Sequence, residues 1–348
     1  MPRPAMGSPA ADPALLPAPP LIARFREDLA EVWPEGALAA PIDDSAASAP
    51  RLALAVSGGP DSLAMLLLAA AVLPGRVEAA TVDHGLRAES AREAADVAAL
   101  CARMGVPHAT LRVEVAAGNI QAEARGARYG ALAQWMEDRG LSALATAHHA
   151  DDQAETLLMR LNRASGVAGL AGTRARGPVP GARKVLVRPL LGWRRHELAE
   201  VVTGAGIEAA QDPSNADRRF DRVRLREALA GADWLDVGAI AQSAAHLADA
   251  DAALEWMAAL EWRSCVKKEP MGLRYKPQAP RAVALRVVER IVRELDGDAP
   301  RGSAVARTFE SLCEGRPASI GNLVVRANAG GWSFATAPVR AAKRKVQD

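Results

Sequence analysis

Apolar positions in the first two thirds of the chain follow two alternating rhythms. Leu52–Val56 is a short apolar run of the kind that forms a buried strand, and Asp61–Leu73 carries on with helical spacing. Val77–Asp83 then reads as a strand and Ser90–Met104 as a helix. Pro107–Val115 reads as a third strand and Ile120–Asp138 as a helix, followed by strand Leu141–Ala147 and helix Asp151–Arg163. Strands that are apolar along most of their length are buried on both faces. Their alternation with helices predicts an α/β fold, a parallel sheet covered by helices on both faces and joined by right-handed crossovers.

The flanking regions break this rhythm. Pro2–Pro20 is rich in Pro and Ala and reads as a disordered leader. Leu21–Trp33 places Leu21, Ile22, Phe25, Leu29 and Val32 on one helical stripe, and Pro34–Pro50 reads as a linker. Ser165–Pro180, rich in Gly, Arg and Pro, reads as a mobile loop. Helices are expected at Arg195–Ala205 and Arg222–Ala230, and Trp234–Trp262 as one long Ala-rich helix or two. Arg281–Leu295 is an amphipathic helix, and Leu323–Ala327 with Trp332–Ala335 predicts a hairpin around Asn328. The tail holding Arg340, Lys343, Arg344 and Lys345 is expected to fray. The expected organisation is a leader and helix over 1–50, a catalytic domain over 51–232 and a mainly helical C-terminal domain over 233–348.

Composition narrows the picture. A chain of 348 residues suits two or three domains. Aromatic residues are only 4%, so the core must be built largely from Ala, Val and Leu. A formal net charge of +2 names no partner, so the placement of the arginines matters more than their number. Cys101, Cys265 and Cys313 are widely spaced, which excludes a disulfide framework and the usual Cys-based metal motifs and fits a reducing compartment. The longest apolar run, Leu63–Leu73, is too short to span a bilayer, and no secretory signal is read. The expected location is cytoplasmic, with no membrane partner.

The first strand runs directly into Ser57-Gly58-Gly59-Pro60-Asp61-Ser62 and then into a helix. Two glycines let backbone N–H groups approach an anion closely. Pro60 suits a first helical turn, and the helix N-terminus adds donors and a positive dipole end. Ser57 and Ser62 supply hydroxyls. The product is a pyrophosphate cradle at a strand's C-terminal end. It is the SGGxDS signature of PP-loop ATP pyrophosphatases; no GxxxxGK[ST] is present and no GxGxxG follows this strand.

Three further constellations follow. Asp83-His84-Gly85-Leu86-Arg87 ends the second strand and, taken alone, reads as a polar turn. Glu123-Ala-Arg125-Gly-Ala-Arg128-Tyr129 puts Arg125 and Arg128 on one helix face, either to grip phosphate or RNA or as a solvated basic face. Thr146-Ala-His148-His149-Ala-Asp151-Asp152-Gln153-Ala-Glu155-Thr156 joins a strand to a helix, with Asp152 and Glu155 projecting together. Its carboxylates suit Mg²⁺, a cationic substrate, or plain N-capping.

Taken in order, SGGPDS, DHGLR, EARGARY and TAHHADDQAET resemble the bacterial tRNA(Ile)-lysidine synthetases. So do Leu161–Leu170, Arg188-Pro189-Leu190-Leu191, Asp212-Pro213-Ser214-Asn215 and Arg222-Val-Arg224-Leu-Arg226. The resemblance spans about Leu52–Arg226, with departures at Asn162-Arg163-Ala164 and Val223. It implies a Rossmann-like PP-loop sheet, with ATP and Mg²⁺ as cofactors. It also implies the CAU-anticodon tRNA(Ile) and free L-lysine as partners, and allows a homodimer. By resemblance, Asp61, Asp152, Glu155 and Arg224 are catalytic. Ser57, Gly58, Gly59, Pro60, Asp61, Ser62, Val82, Asp83, His84, Arg125 and His148 bind the nucleotide, and Asp61 and Asp152 hold the metal.

Two arginine-rich stretches are candidate tRNA contacts: Arg174, Arg176, Arg183, Lys184, Arg194 and Arg195, and then Arg218, Arg219, Arg222, Arg224 and Arg226. The first alternative is a PP-loop tRNA thiolase acting on cytidine or uridine, which would need cysteines near the motifs. An amide-forming ligase of the NAD or GMP synthetase kind and a non-catalytic ATP- or RNA-binding module are the others.

Overall fold

The computed structural model describes residues 12–37, 49–85, 88–113, 120–210, 219, 221–298 and 300–337. The chain divides into two compact units, Met1–Ala248 and Asp249–Asp348.

The first unit is built on a six-stranded sheet in the order β3-β2-β1-β4-β6-β5. Strands β1 (Leu52–Ala55), β2 (Val77–Asp83), β3 (His108–Arg112), β4 (Ala143–Ala145) and β6 (Val185–Val187) run parallel, and β5 (Arg176–Pro178) pairs antiparallel on the outer edge. Helices α1 (Pro19–Val32), α2 (Pro34–Ala37), α3 (Pro60–Val72), α4 (Ala88–Arg103), α5 (Ile120–Arg139), α6 (Ala150–Leu161), α7 (Val167–Leu170), α8 (Arg195–Gly204) and α9 (Asp221–Ala230) complete the unit. Right-handed crossovers from β1 to β2 and on to β3 put α3 and α4 on one face, and the return from β3 to β4 puts α5 on the other.

Side chains sort by the two-residue period of the strands. Leu52 and Leu54 of β1, Val77 and Ala79 of β2, and Ala143 and Ala145 of β4 share a core cluster with α1, α3, α4 and α8. Ala53, Ala80, Leu144 and Leu186 face the other way, onto Tyr129, Leu132, Trp135 and Met136 of α5. Alanines on that face leave room for the large α5 side chains. Helix α3 is buried from Ser62 through Ala69, as expected of a helix apolar on all sides.

Differences from the expectation lie where the strand signal is short. Ser165–Pro180 is not a featureless loop: it contains α7 and strand β5, with Pro178 tolerated because β5 is an edge strand. Within the leader, Pro13–Leu15 forms a short 3₁₀ turn with Leu15 buried, and Arg103 pairs with Asp12 at 3.1 Å. Residues 1–11, 38–48 and 338–348 lie outside the described residues.

In the second unit the end of α10 (Val237–Cys265), with α11 (Arg281–Asp296) and α12 (Gly302–Cys313), accompanies an antiparallel sheet in the order β7-β8-β11-β10-β9. Its strands are β7 (Val266–Glu269), β8 (Gly272–Tyr275), β9 (Ala318–Ile320), β10 (Leu323–Asn328) and β11 (Gly331–Thr336). The last two form the hairpin that the alternation around Asn328 indicates. Strands β7, β8 and β9 are additions that the sequence pattern did not suggest. Trp332 packs edge-on against Tyr275 and Phe309 in the core, at centroid distances of 5.8 and 5.2 Å.

Candidate active site

Strand β1 leads the chain toward β2, whereas β4 leads it away toward β6. The crevice beyond the carboxyl ends of these two neighbouring strands is therefore the topological switch point, where open α/β sheets bind ligands. The turn into α3 and the turn into α6 meet there.

The first turn is held by hydroxyls. Ser62 Oγ accepts the Ser57 N–H at 3.1 Å, donates to the Gly59 carbonyl at 2.9 Å, and lies 3.2 Å from Ser57 Oγ. Gly58 has φ +86°, and Gly59 is the N-cap of α3. Pro60 has no N–H, and the Ser62 and Leu63 N–H groups return to the Gly59 carbonyl at 3.1 and 3.0 Å, so the Asp61 N–H is the first-turn donor left for a ligand in the crevice, at the positive end of the helix dipole. A Cβ at position 58 would meet Val97 Cγ2 at 3.5 Å and Ala210 Cβ at 3.7 Å, so space is adequate and backbone strain dominates. Gly58→Ala is expected to cost about 1 kcal/mol of stability and to weaken ATP binding, read by denaturant melts and nucleotide titration.

Across the crevice, His149 is the pivot. Its ring is 1% exposed and sits among three carboxylates. Nε2 lies 3.4 Å from Asp61 Oδ2 and 3.6 Å from Asp152 Oδ2, and Nδ1 lies 3.5 Å from Asp151 Oδ2. Neither ring nitrogen has an aligned hydrogen bond, so charge is the main attraction. Burial alone would push the pKa of His149 down, but Asp151, Asp61 and Asp152 outweigh it and raise it to about 9. Asp151 is held low against its own burial by His149, the Arg195 amide and Arg194. The adjacent His148 behaves oppositely. Burial, with Arg188, Arg125 and Arg222, drives it to about 4 despite Asp152, and its Nδ1 lies 3.0 Å from Thr146 Oγ1. One imidazole is thus a cationic strut that joins the two turns, and its neighbour is neutral.

The acidic pair is engaged by α9. Asp152 Oδ1 accepts from Arg222 Nη2 at 2.7 Å, and Asp152 Oδ2 accepts the His149 N–H at 3.2 Å. Glu155, whose side chain is 2% exposed, accepts from Arg222 Nε at 2.6 Å and Arg226 Nε at 2.8 Å, with Arg195 at 3.5 Å. For a divalent cation the fit is uneven. Asp61 Oδ1 is buried with no partner and suits a hard cation, whereas Asp152 has no oxygen to spare. Among the described residues no group of three acidic, His or Cys side chains is arranged for a metal.

The remaining expected residues distribute as follows. Pro60 opens α3, with Asp61 and Ser62 in its first turn. Val82 and Asp83 close β2, where Asp83 Oδ1 accepts the Gly85 N–H at 2.9 Å, and His84 follows with Nδ1 buried and unpartnered. Arg125 lies on α5 with its guanidinium 5.1 Å from the Tyr129 ring. Arg224 is not brought to the acidic pair: it turns to Asp221 on its own helix, while Arg222 and Arg226, four residues apart on one face, occupy that place. Leu86, Arg87, Asp212–Asn215 and Arg218 lie outside the described residues.

His149 and Asp151 were not expected to carry the site. Their signal was present: acidic residues at 61, 151 and 152 around a histidine at a strand end. The first arginine stretch does not form one open face. Arg176 pairs with Glu35, Lys184 with Glu137 and Arg194 with Asp151. Cys101, the cysteine of the first unit, is buried in the core, and burial pushes its thiol up to about 12.

Cradle, switch point and paired acidic turn together define an ATP-using PP-loop enzyme, and the family model described as a PP-loop domain matches residues 35–232. Among solved structures, the fold is shared with the U34-tRNA thiolase NcsA from Methanococcus maripaludis, described with its [4Fe-4S] cluster. That match has a TM-score of 0.50 and 14% identity, over 65% of this chain and 77% of that one. Closer relatives are tRNA(Ile)-lysidine synthases. That of Novosphingobium aromaticivorans is 48% identical over 92% of this chain and 95% of its own length. That of Zymomonas mobilis is 41% identical over 83% and 89%. The chain belongs to the tRNA(Ile)-lysidine synthase family of ATP-dependent ligases.

Proposed function

We propose that this enzyme joins free lysine to C2 of the wobble cytidine in the CAU-anticodon tRNA(Ile), working in the cytoplasm. The C2 oxygen of cytosine attacks the α-phosphorus of ATP, and pyrophosphate leaves. The ε-amine of lysine, after losing a proton, attacks C2 of the adenylated base, and AMP carries away the oxygen. The relatives' names support the substrate.

The observation that carries the reading is the strut. Asp61 of the phosphate cradle and Asp152 of the acidic corner lie on one buried imidazolium, so the adenylating and amine-delivering turns form a single crevice. The cradle's donors are aimed where charge develops on the leaving pyrophosphate. Mg²⁺, bound at Asp61 with phosphate oxygens, would neutralise charge on the triphosphate. Asp152 receives the lysine ammonium and takes up its proton. Arg222 now holds the edge of Asp152 that faces Glu155, so the ammonium exchanges with a guanidinium there. Glu155 keeps α9 in reach through Arg226.

Asp152→Asn separates the steps. Pyrophosphate release with tRNA and no lysine should stay within about threefold of the unmodified enzyme, while lysine transfer falls by at least about 100-fold. Equal loss in both would remove Asp152 from the amine step.

A further inference from the structure

On the α5 side of the same sheet edge, three buried polar atoms have no aligned hydrogen bond: His84 Nδ1, Tyr129 Oη and Arg188 Nε, with the Tyr129 hydroxyl within reach of the Arg188 guanidinium. Tyr129 is 1% exposed and Arg188 8%. The strand alternation explains how they meet. Leu186 belongs to the α5-face cluster with Tyr129, and Arg188 follows two residues later on the same side. Strand β6 lies beside β4, where the Thr146 N–H donates to the Val187 carbonyl at 3.1 Å. Arg125 and Arg128 bring guanidiniums to 5.1 and 5.3 Å from the Tyr129 ring.

This corner carries an excess of one charge. Arg188 Nη1 donates to the Arg174 carbonyl at 2.5 Å, and among the described residues no carboxylate pairs with Arg125, Arg128 or Arg188. The Arg188 guanidinium meets the Tyr129 hydroxyl, but the buried Nε and that hydroxyl lack an aligned bond, and with no carboxylate to balance the charge the corner fits an anion. His148 stands between this corner and the acidic one: Arg188 and Arg125 oppose its protonation, and Asp152 favours it.

We infer that Arg188, Tyr129 and Arg125 form a subsite for a small oxyanion of the reacting partners, beside the acidic corner that takes the amine. The inference rests on the proposed reaction, which offers two groups of that chemistry: the carboxylate of the free amino acid and the phosphoryl group of the adenylate. Arg188 and the Tyr129 hydroxyl donate to its oxygens, and Arg125 closes the open side.

Tyr129→Phe is the cleanest variant, because it removes a single hydroxyl whose one neighbour is the Arg188 guanidinium and keeps the buried ring, so the melting temperature should stay close to that of the unmodified enzyme. Arg188→Gln is its companion. Rates are measured with lysine and with 1,5-diaminopentane, which keeps both amines and lacks the carboxylate. If the subsite holds the carboxylate, transfer from lysine falls about 10- to 100-fold and transfer from diaminopentane does not. If it holds the phosphoryl group, adenylate formation falls by that factor whichever donor is present. Equilibrium binding of AMP and of lysine to the unmodified enzyme and to Tyr129→Phe reads the same choice without turnover. Unchanged rates and unchanged binding in Tyr129→Phe, with Arg188→Gln losing only thermal stability, overturn the subsite. An unmodified enzyme that forms no adenylate overturns the proposed reaction instead, while the binding arm still decides the subsite.

Discussion

Asp61→Asn is expected to lower tRNA-dependent pyrophosphate release by at least about 100-fold while leaving the protein folded. Asp61 stands in the first turn of α3, beside the glycines of the phosphate cradle. Oδ1 is buried without a partner and is the oxygen best suited to a hard cation, and Oδ2 faces the His149 imidazolium at 3.4 Å. An amide keeps the shape but carries no charge, so it fails both the cation and the strut. The fold should survive, because His149 keeps Asp151 and Asp152 as counter-charges. Circular dichroism and a thermal melt check folding, and pyrophosphate release with tRNA and ATP checks the step. Retention of more than a tenth of the rate would take Asp61 out of the chemistry.

Trp193→Ala is expected to give the largest loss of stability, about 4 kcal/mol. The indole is fully buried in the main core cluster. Its Nε1 donates to Asp28 at 2.7 Å, Arg24 lies 4.2 Å from the ring, and its carbonyl accepts the Ala150 N–H at 2.8 Å. The indole thus ties α1 to the segment whose main-chain carbonyl holds the start of α6, on which the acidic corner is built. At roughly 2–4 °C per kcal/mol for a unit of this size, the melting temperature should drop by roughly 8–16 °C. The deficit should also grow with pH. Burial already holds the pKa of Asp28 above its ordinary value, and the Trp193 hydrogen bond opposes that rise. Without the indole the pKa of Asp28 rises further in the folded state. The ionised carboxylate then disfavours folding more at neutral pH than at pH 4. Melts at both values test this, and an equal deficit at the two would contradict it.

Features whose signal is local were legible in the sequence. The turn from Val56 to Pro60 announces itself through glycines between an apolar run and a helix, and β2 falls on Val77–Asp83, a mostly apolar stretch whose buried Glu78 is paired with Arg51 and Arg139. The short pair β5 and β6 was hidden, since three-residue strands, one of them holding Gly177 and Pro178, carry little periodicity. In the site, the members were readable but their contacts were not. Arg222 reaches Glu155 across 67 residues of sequence, and only folding places α9 there. Helical spacing could have preferred Arg222 and Arg226 over Arg224, because residues four apart share a face and residues two apart do not. The opposite protonation of His148 and His149 needed burial and neighbouring charges, which adjacent letters do not reveal.

The most direct measurement is nucleoside mass analysis of CAU-anticodon tRNA(Ile) after incubation with the enzyme, ATP and each amino acid in turn. Lysine alone should convert the wobble cytidine to its lysine adduct, with AMP and pyrophosphate formed in equal amounts, and omission of ATP should prevent it. An unmodified cytidine with every amino acid, or a different nucleoside carrying the new mass, would contradict the joining of cradle and acidic corner into one ligase site.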